Sequence, residues 1–131
     1  MLHYILNSWE IYTHRRGLNA GIFYKNHLVG IVSFNQFDWI HRIGYIGYWL
    51  SMDHQGRGIM TKSVRALIDV GFEHFQLKKI EIRVAKQNEK SKAIPKRLGF
   101  KRDGVLKDAE WLYNRYVDHL VFTMEKHEWK Y

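Results

Sequence analysis

The chain has 131 residues, a length that fits one domain spanning residues 1–131, and its 21 Lys and Arg against 13 Asp and Glu give a net charge of +8. With 46% hydrophobic residues, 15% aromatics and one proline it reads as a folded globule rather than a disordered tail. The absence of cysteine excludes disulfides, cysteine-ligated zinc, iron–sulfur clusters and thiol nucleophiles.

In chain order, Leu2, Ile5, Leu6, Trp9 and Thr13 recur at near-helical spacing up to Gly17, which predicts an amphipathic helix over residues 2–16. Residues 21–24 and 28–34 around Lys25-Asn26-His27 predict a strand hairpin, and residues 38–42 a connection. Residues 43–50 are apolar or glycine at every position, the pattern of a strand buried on both sides. From Thr61, the residues Val64, Leu67, Ile68, Gly71, Phe72 and Phe75 recur at three- and four-residue steps and predict a helix packed on a sheet. Ile80, Ile82 and Val84 alternate with Glu81, Arg83 and Ala85 as a strand, and residues 90–98 read as a short helix stopping at Gly99. Residues 105–112 and 116–125 flank Asn114-Arg115 as a closing hairpin whose Trp111, Tyr116 and Phe122 are expected in the core. The order of elements predicts a mixed α/β domain.

Three segments carry candidate chemistry. Ser51 to Thr61 leads from a strand into the strongest helix, and its Gly56 and Gly58 allow close approach of backbone to an anion held at the helix N-terminus. It matches neither the P-loop nor the dinucleotide-binding glycine pattern, and a glycine-eased turn with a solvated Arg57 is the plain alternative. The second segment, Ala85 to Pro95, offers Asn88 as an N-cap. Pro95 has no N–H for the carbonyl four residues earlier, so Ser91 would present hydroxyl and free carbonyl together, with plain capping as the alternative. The third holds carboxylates at strand positions, Asp108 and Glu110 before the last turn and Asp118 after it, suited to proton transfer or to simple surface charge. None of the eight histidines has the H-x-x-x-H or H-x-x-E-H spacing of a zinc site, so no metal is expected, and no G-x-S-x-G elbow supports a serine hydrolase.

Read jointly, Gln55-Gly56-Arg57-Gly58-Ile59-Met60 before one helix, Asn88-Glu89-Lys90-Ser91 before the next and Leu98-Gly99-Phe100 after it resemble the GNAT superfamily of acetyl-coenzyme A-dependent N-acetyltransferases. Gly47-Tyr48-Trp49-Leu50 and Ala109-Glu110-Trp111-Leu112-Tyr113-Asn114 are similar to its Rim-type group, which acetylates the N-termini of ribosomal proteins. The resemblance covers residues 15–128 and implies a GNAT-like α/β (α+β mixed sheet) fold that lacks the usual first strand and helix, an absence that leaves room for a homodimer. It implies acetyl-CoA as co-substrate, with Gln55, Gly56, Arg57, Gly58, Ile59, Met60 and Thr61 on the pyrophosphate. Leu50 and Met52, on the strand end that also carries Trp49 and Ser51, would lie beside the pantetheine, with a free N–H there acting as an oxyanion donor. Asn88 and Ser91 would flank the pantetheine and sulfur, Ser91 protonating the thiolate, and Glu110 would take the amine proton as the acyl group passes directly.

The expected function is therefore acetyl transfer to an amine, most naturally the α-amine of a ribosomal protein. Alternatives are a small-amine acetyltransferase, acting on polyamines or aminoglycosides, and a basic nucleic-acid-binding module with interleaved aromatics such as Tyr113-Asn114-Arg115-Tyr116. No apolar run approaches the ~18 residues of a membrane span, and the first fifteen residues are unlike a secretory signal, so a cytoplasmic protein without a membrane partner is expected.

Overall fold

The computed structural model, which describes residues 5–6, 12–14 and 17–130, builds the chain on one mixed sheet with two helices on a single face. The strands are β1 (Ile5–Leu6), β2 (Tyr12–His14), β3 (Gly17–Tyr24), β4 (His27–Asp38), β5 (Ile43–Leu50), β6 (Lys79–Ala85), β7 (Lys101–Leu112) and β8 (Arg115–Glu125). The helices are α1 (Ile59–Glu73) and α2 (Glu89–Arg97). The strand order is β1-β3-β4-β5-β6-β8-β7, with β2 also paired to β3. Every pairing is antiparallel except β5 with β6, which run parallel and are joined by α1. A parallel pair needs such a crossover, because no tight turn can return the chain to the same end of the sheet.

Local chemistry explains the turns. Lys25 and Asn26 (φ 49° and 66°) and Tyr113 and Asn114 (φ 52° and 64°) close two-residue hairpins whose paired positive φ matches the twist of the flanking strands. The second turn therefore sits at Tyr113-Asn114, one residue earlier than Asn114-Arg115. The helices cover the face carrying Val32, Phe34, Ile46, Ile80, Ile82 and Phe122, and α1 sends Val64, Leu67, Ile68 and Phe72 into that core. Gly71 lets α1 settle on the sheet, since a Cβ there would stand 2.7 Å from the Phe34 ring.

The structure corrects three sequence expectations. Instead of one helix over residues 2–16, Ile5–Leu6 pair with Ile22–Phe23 and Tyr12–His14 with residues 17–19; positions 2–4, 7–11 and 15–16 lie outside the described residues. β-branched and aromatic residues in short runs satisfy either periodicity, and the open edge of β3 supplies hydrogen-bond partners that decide for strand. β5 is buried on one face only, through Gly44, Ile46 and Leu50, while Trp49 on the other face is 60% exposed. Phe122 is in the core, but Trp111 and Tyr116 are 58% and 61% exposed. β6 pairs with β8 only from Glu125 to His119, so the distal part of the β7–β8 hairpin overhangs the sheet. The two rings pack edge-to-face on each other there, 4.9 Å between centroids.

Candidate active site

The central feature is a gap between the two parallel strands. Their ladder runs from Ile43 opposite Lys79 to Ile46 opposite Ile82 and stops, although β5 continues to Leu50 and β6 to Ala85. Beyond that point β5 stays with β4, through Gly30 opposite Leu50, and β6 stays with β8, through Ala85 opposite His119. Each strand thus follows its antiparallel neighbour and the pair parts. The Ser51 N–H donates to the Val29 carbonyl at 2.8 Å, so by strand alternation the backbone groups of Tyr48 and Leu50 face away from β4 and into the gap. The Leu50 carbonyl accepts a hydrogen bond from Gln55 Nε2 at 2.9 Å, and its N–H points the same way.

The chain leaves β5 through a 3-10 turn, Met52–His54, in which Ser51 Oγ and His54 Nδ1 lie 2.6 Å apart. Gly56 and Gly58 follow with φ of 79° and 76°, in the left-handed region that penalises any side chain, and a Cβ on either would meet open space. Gly58 is the N-cap of α1 and supplies no side-chain cap. The N–H groups of Ile59, Met60 and Thr61 have no intrahelical acceptor, while the Ile59 and Met60 side chains are buried in the core. What this end of α1 presents outward is main chain at the positive end of the dipole.

α2 forms the opposite wall. Asn88 Oδ1 accepts the Ser91 N–H at 3.0 Å, the expected cap. The Ser91 carbonyl, which Pro95 leaves without its helix partner, is not free: the Tyr48 hydroxyl donates to it at 2.9 Å. Burial pushes the Tyr48 phenol well above its ordinary pKa, so it remains a donor throughout the neutral range. The Ser91 hydroxyl has no hydrogen-bond partner among the described residues. Lys90 Nζ reaches Gln55 Oε1 at 3.3 Å, which makes Gln55 a brace between the end of β5 and α2.

These walls enclose a cleft of about 580 Å³. Of the sequence-proposed residues, Leu50, Gln55, Gly56, Gly58, Ile59, Met60, Thr61, Asn88 and Ser91 line it. Met52, 84% exposed, and Arg57, also exposed, are not in its wall. Tyr48, Lys90 and Arg97 also line it and were given no role from sequence. The orphaned carbonyl implied by Pro95 was the available signal for a donor such as Tyr48.

Glu110 lies outside this cleft, on edge strand β7. The β7–β8 ladder skips from Leu106 opposite His119 to Glu110 opposite Val117, so residues 107–109 bulge out against Asp118 alone. Asp118 fills the bulge: Oδ1 accepts the Asp108 N–H at 2.9 Å and Oδ2 the Lys107 ammonium at 3.4 Å. The bulge re-aims Glu110, whose Oε1 stands 2.9 Å from His119 Nε2. His119 is level with the end of β6 and on the face away from the helices, because Leu120 and Phe122 point into the helical core. Glu110 and the cleft thus belong to opposite faces at the same end of the sheet.

The Asp108 N–H, then Lys107, hold Asp118 below the ordinary carboxylate pKa. A depressed folded-state pKa stabilises the bulge fully above the unfolded value of about 3.9 and loses that contribution as pH falls through the folded value. The Asp108 amide resonance is expected to stay fixed from pH 8 to about pH 4 and to move only below it. Movement between pH 5 and 8 in an NMR titration would contradict this assignment.

Comparison with known proteins agrees with the geometry. Residues 1–101 match the family described as "Acetyltransferase (GNAT) domain". The chain belongs to the GNAT acetyltransferases. This GNAT chain is 34% identical over 127 residues to "Putative ribosomal N-acetyltransferase YdaF" of Bacillus subtilis (strain 168), covering 96% of the chain and 69% of the relative. It is 34% identical over 111 residues to the ribosomal-protein-serine acetyltransferase of Escherichia coli (strain K12), covering 83% and 62%. Among solved structures it resembles RimL, an α-N-protein acetyltransferase of a ribosomal protein, in complex with coenzyme A: 32% identity, TM-score 0.80, covering 84% of this chain and 62% of that one. A spermidine N(1)-acetyltransferase of Escherichia coli (strain K12) is 27% identical over 100 residues, covering 76% and 54%. The GNAT chain thus spans between about half and about 70% of the length of these relatives. Among the described residues no group of three or more His, Asp or Glu could hold a metal, and no helix is long and apolar enough to cross a membrane.

Proposed function

We propose that this chain is an acetyl-CoA-dependent N-acetyltransferase that passes the acetyl group directly to the α-amine at a protein N-terminus, with a ribosomal protein as acceptor. The parting of β5 and β6 beside the uncapped N-terminus of α1 carries this reading. Backbone N–H groups at Gly58 to Thr61 suit the pyrophosphate, and Lys90 and Arg97 add positive charge to the wall. The Leu50 N–H, which faces the gap, would donate to the oxygen of the attacked thioester carbonyl. The amine nitrogen bonds to that carbonyl carbon, the carbon–sulfur bond breaks, Glu110 takes the amine proton directly or through a water, and the Ser91 hydroxyl gives its proton to the departing thiolate and regains one from solvent water.

The acceptor class follows from proton availability. An α-amine of pKa about 7.8 is roughly one-tenth neutral at pH 7, whereas a lysine of pKa about 10.4 is neutral at about 0.04%. A half-exposed carboxylate such as Glu110 suffices for the first and is a weak match for the second. Relatives named as ribosomal-protein acetyltransferases, both in sequence and in structure, support the same choice. The spermidine relative favours a second reading, acetylation of a polyamine. Incubation with acetyl-CoA and three acceptors, read by mass spectrometry, separates them. A peptide with a free N-terminus is expected to gain the mass of one acetyl group at its α-amine, and the N-blocked peptide with an internal lysine to gain nothing. Turnover of spermidine alone would establish the second reading.

A further inference from the structure

We propose that Tyr48 is a positioning residue of the cleft: its hydroxyl takes the place of the amide hydrogen that Pro95 lacks and thereby holds Ser91 and the first turn of α2 at a set distance from β5. Within α2 the Ser91 carbonyl would ordinarily accept from the N–H of residue 95, and Pro95 has none. A partly buried carbonyl without a donor is costly, so the Tyr48 bond at 2.9 Å is strongly favoured over an open arrangement.

Its location makes it more than a packing detail. Past Ile46 opposite Ile82 no ladder joins β5 to β6, and α2 follows directly from β6. Tyr48 therefore ties the two sides of the gap together beyond the last ladder rung. The second tie, Lys90 to Gln55 at 3.3 Å, is exposed and longer, and so contributes less. The same residue whose carbonyl is held carries the hydroxyl assigned to the leaving sulfur, and its N–H fixes Asn88. A proline in the helix and a tyrosine on the facing strand thus form one device: the first creates a vacancy on the helix, and the second uses it as an anchor point.

The role in acetyl-CoA binding rests on the function proposed above, whereas the hydrogen-bond substitution itself does not. Four proteins test both: the parent, Tyr48→Phe, Pro95→Ala, and the double variant. In the parent background, Tyr48→Phe is expected to weaken acetyl-CoA binding about tenfold and to lower kcat, with KM for the amine within about twofold. In the Pro95→Ala background, where the helix supplies its own N–H to Ser91, the same change is expected to cost less than about twofold. Equal losses in the two backgrounds, or no loss in either, would overturn the proposal. If the folded parent binds no acetyl-CoA, the functional reading fails. The urea midpoints of the same four proteins then decide on Tyr48, which is supported by a drop confined to the parent background and overturned by equal drops or none.

Discussion

Gly58→Trp is expected to abolish saturable acetyl-CoA binding in a calorimetric titration, with a loss of about 100-fold or more. Two independent effects add. A side chain at φ 76° strains the turn by about 1–2 kcal/mol, which shifts the N–H groups of Ile59 and Met60 from their common direction. The indole also occupies the open space in front of Gly56 and Gly58, where main-chain donors would meet a diphosphate. Hydrogen bonds to a charged group contribute about 1.5–3 kcal/mol each, so losing two accounts for the expected factor. The strain alone is expected to leave a domain of ordinary stability folded, with a cooperative thermal transition as the check. Gly58→Ala, strained but small, is expected to lie between parent and Gly58→Trp. Unchanged affinity in the tryptophan variant would place the cofactor elsewhere.

Glu110→Gln is expected to lower kcat by about 10²- to 10⁴-fold, the range for loss of a general base, with acetyl-CoA affinity within about twofold of the parent. The separation of effects follows from position: Glu110 stands on the face of the sheet away from the helices, and the cleft wall does not include it. Glutamine keeps an oxygen that can accept from His119 Nε2, so the bulge and its hydrogen bonds persist and only basicity is lost. Single-turnover measurements with prebound acetyl-CoA read the chemical step. A variant with full kcat would remove Glu110 from the reaction and return it to the role of a surface carboxylate.

The parts of the fold governed by local chemistry were legible from the residues. α1 has an uninterrupted apolar stripe and α2 is bracketed by Asn88 and Gly99, so both helices stand within two residues of expectation. The loop and cap residues of the cleft, Gln55, Gly56, Gly58 to Thr61, Asn88 and Ser91, were also legible, because a glycine turn before a helix and an Asn-x-x-Ser cap declare their geometry within a few positions, whereas Met52 and Arg57 fall outside the wall. What depended on a third strand was not. Trp111 and Tyr116 look like core until β6 is seen to end at Ala85 and leave their hairpin overhanging. Residues 5–6 and 12–14 take their conformation from the edge of β3 rather than from their own spacing. The Tyr48 hydroxyl and Ser91 carbonyl lie 43 residues apart in sequence, so only the folded arrangement identifies which donor meets the carbonyl that Pro95 releases.

The gap between β5 and β6 has a bearing on traffic. The ladder ends at Ile46 opposite Ile82, so the cleft among the helices and the Glu110–His119 pair on the opposite face stand at the same end of the sheet. Reactants that approach from opposite faces can be bound at the same time. On the direct transfer proposed above, initial-rate plots against one reactant at several concentrations of the other are expected to intersect instead of running parallel.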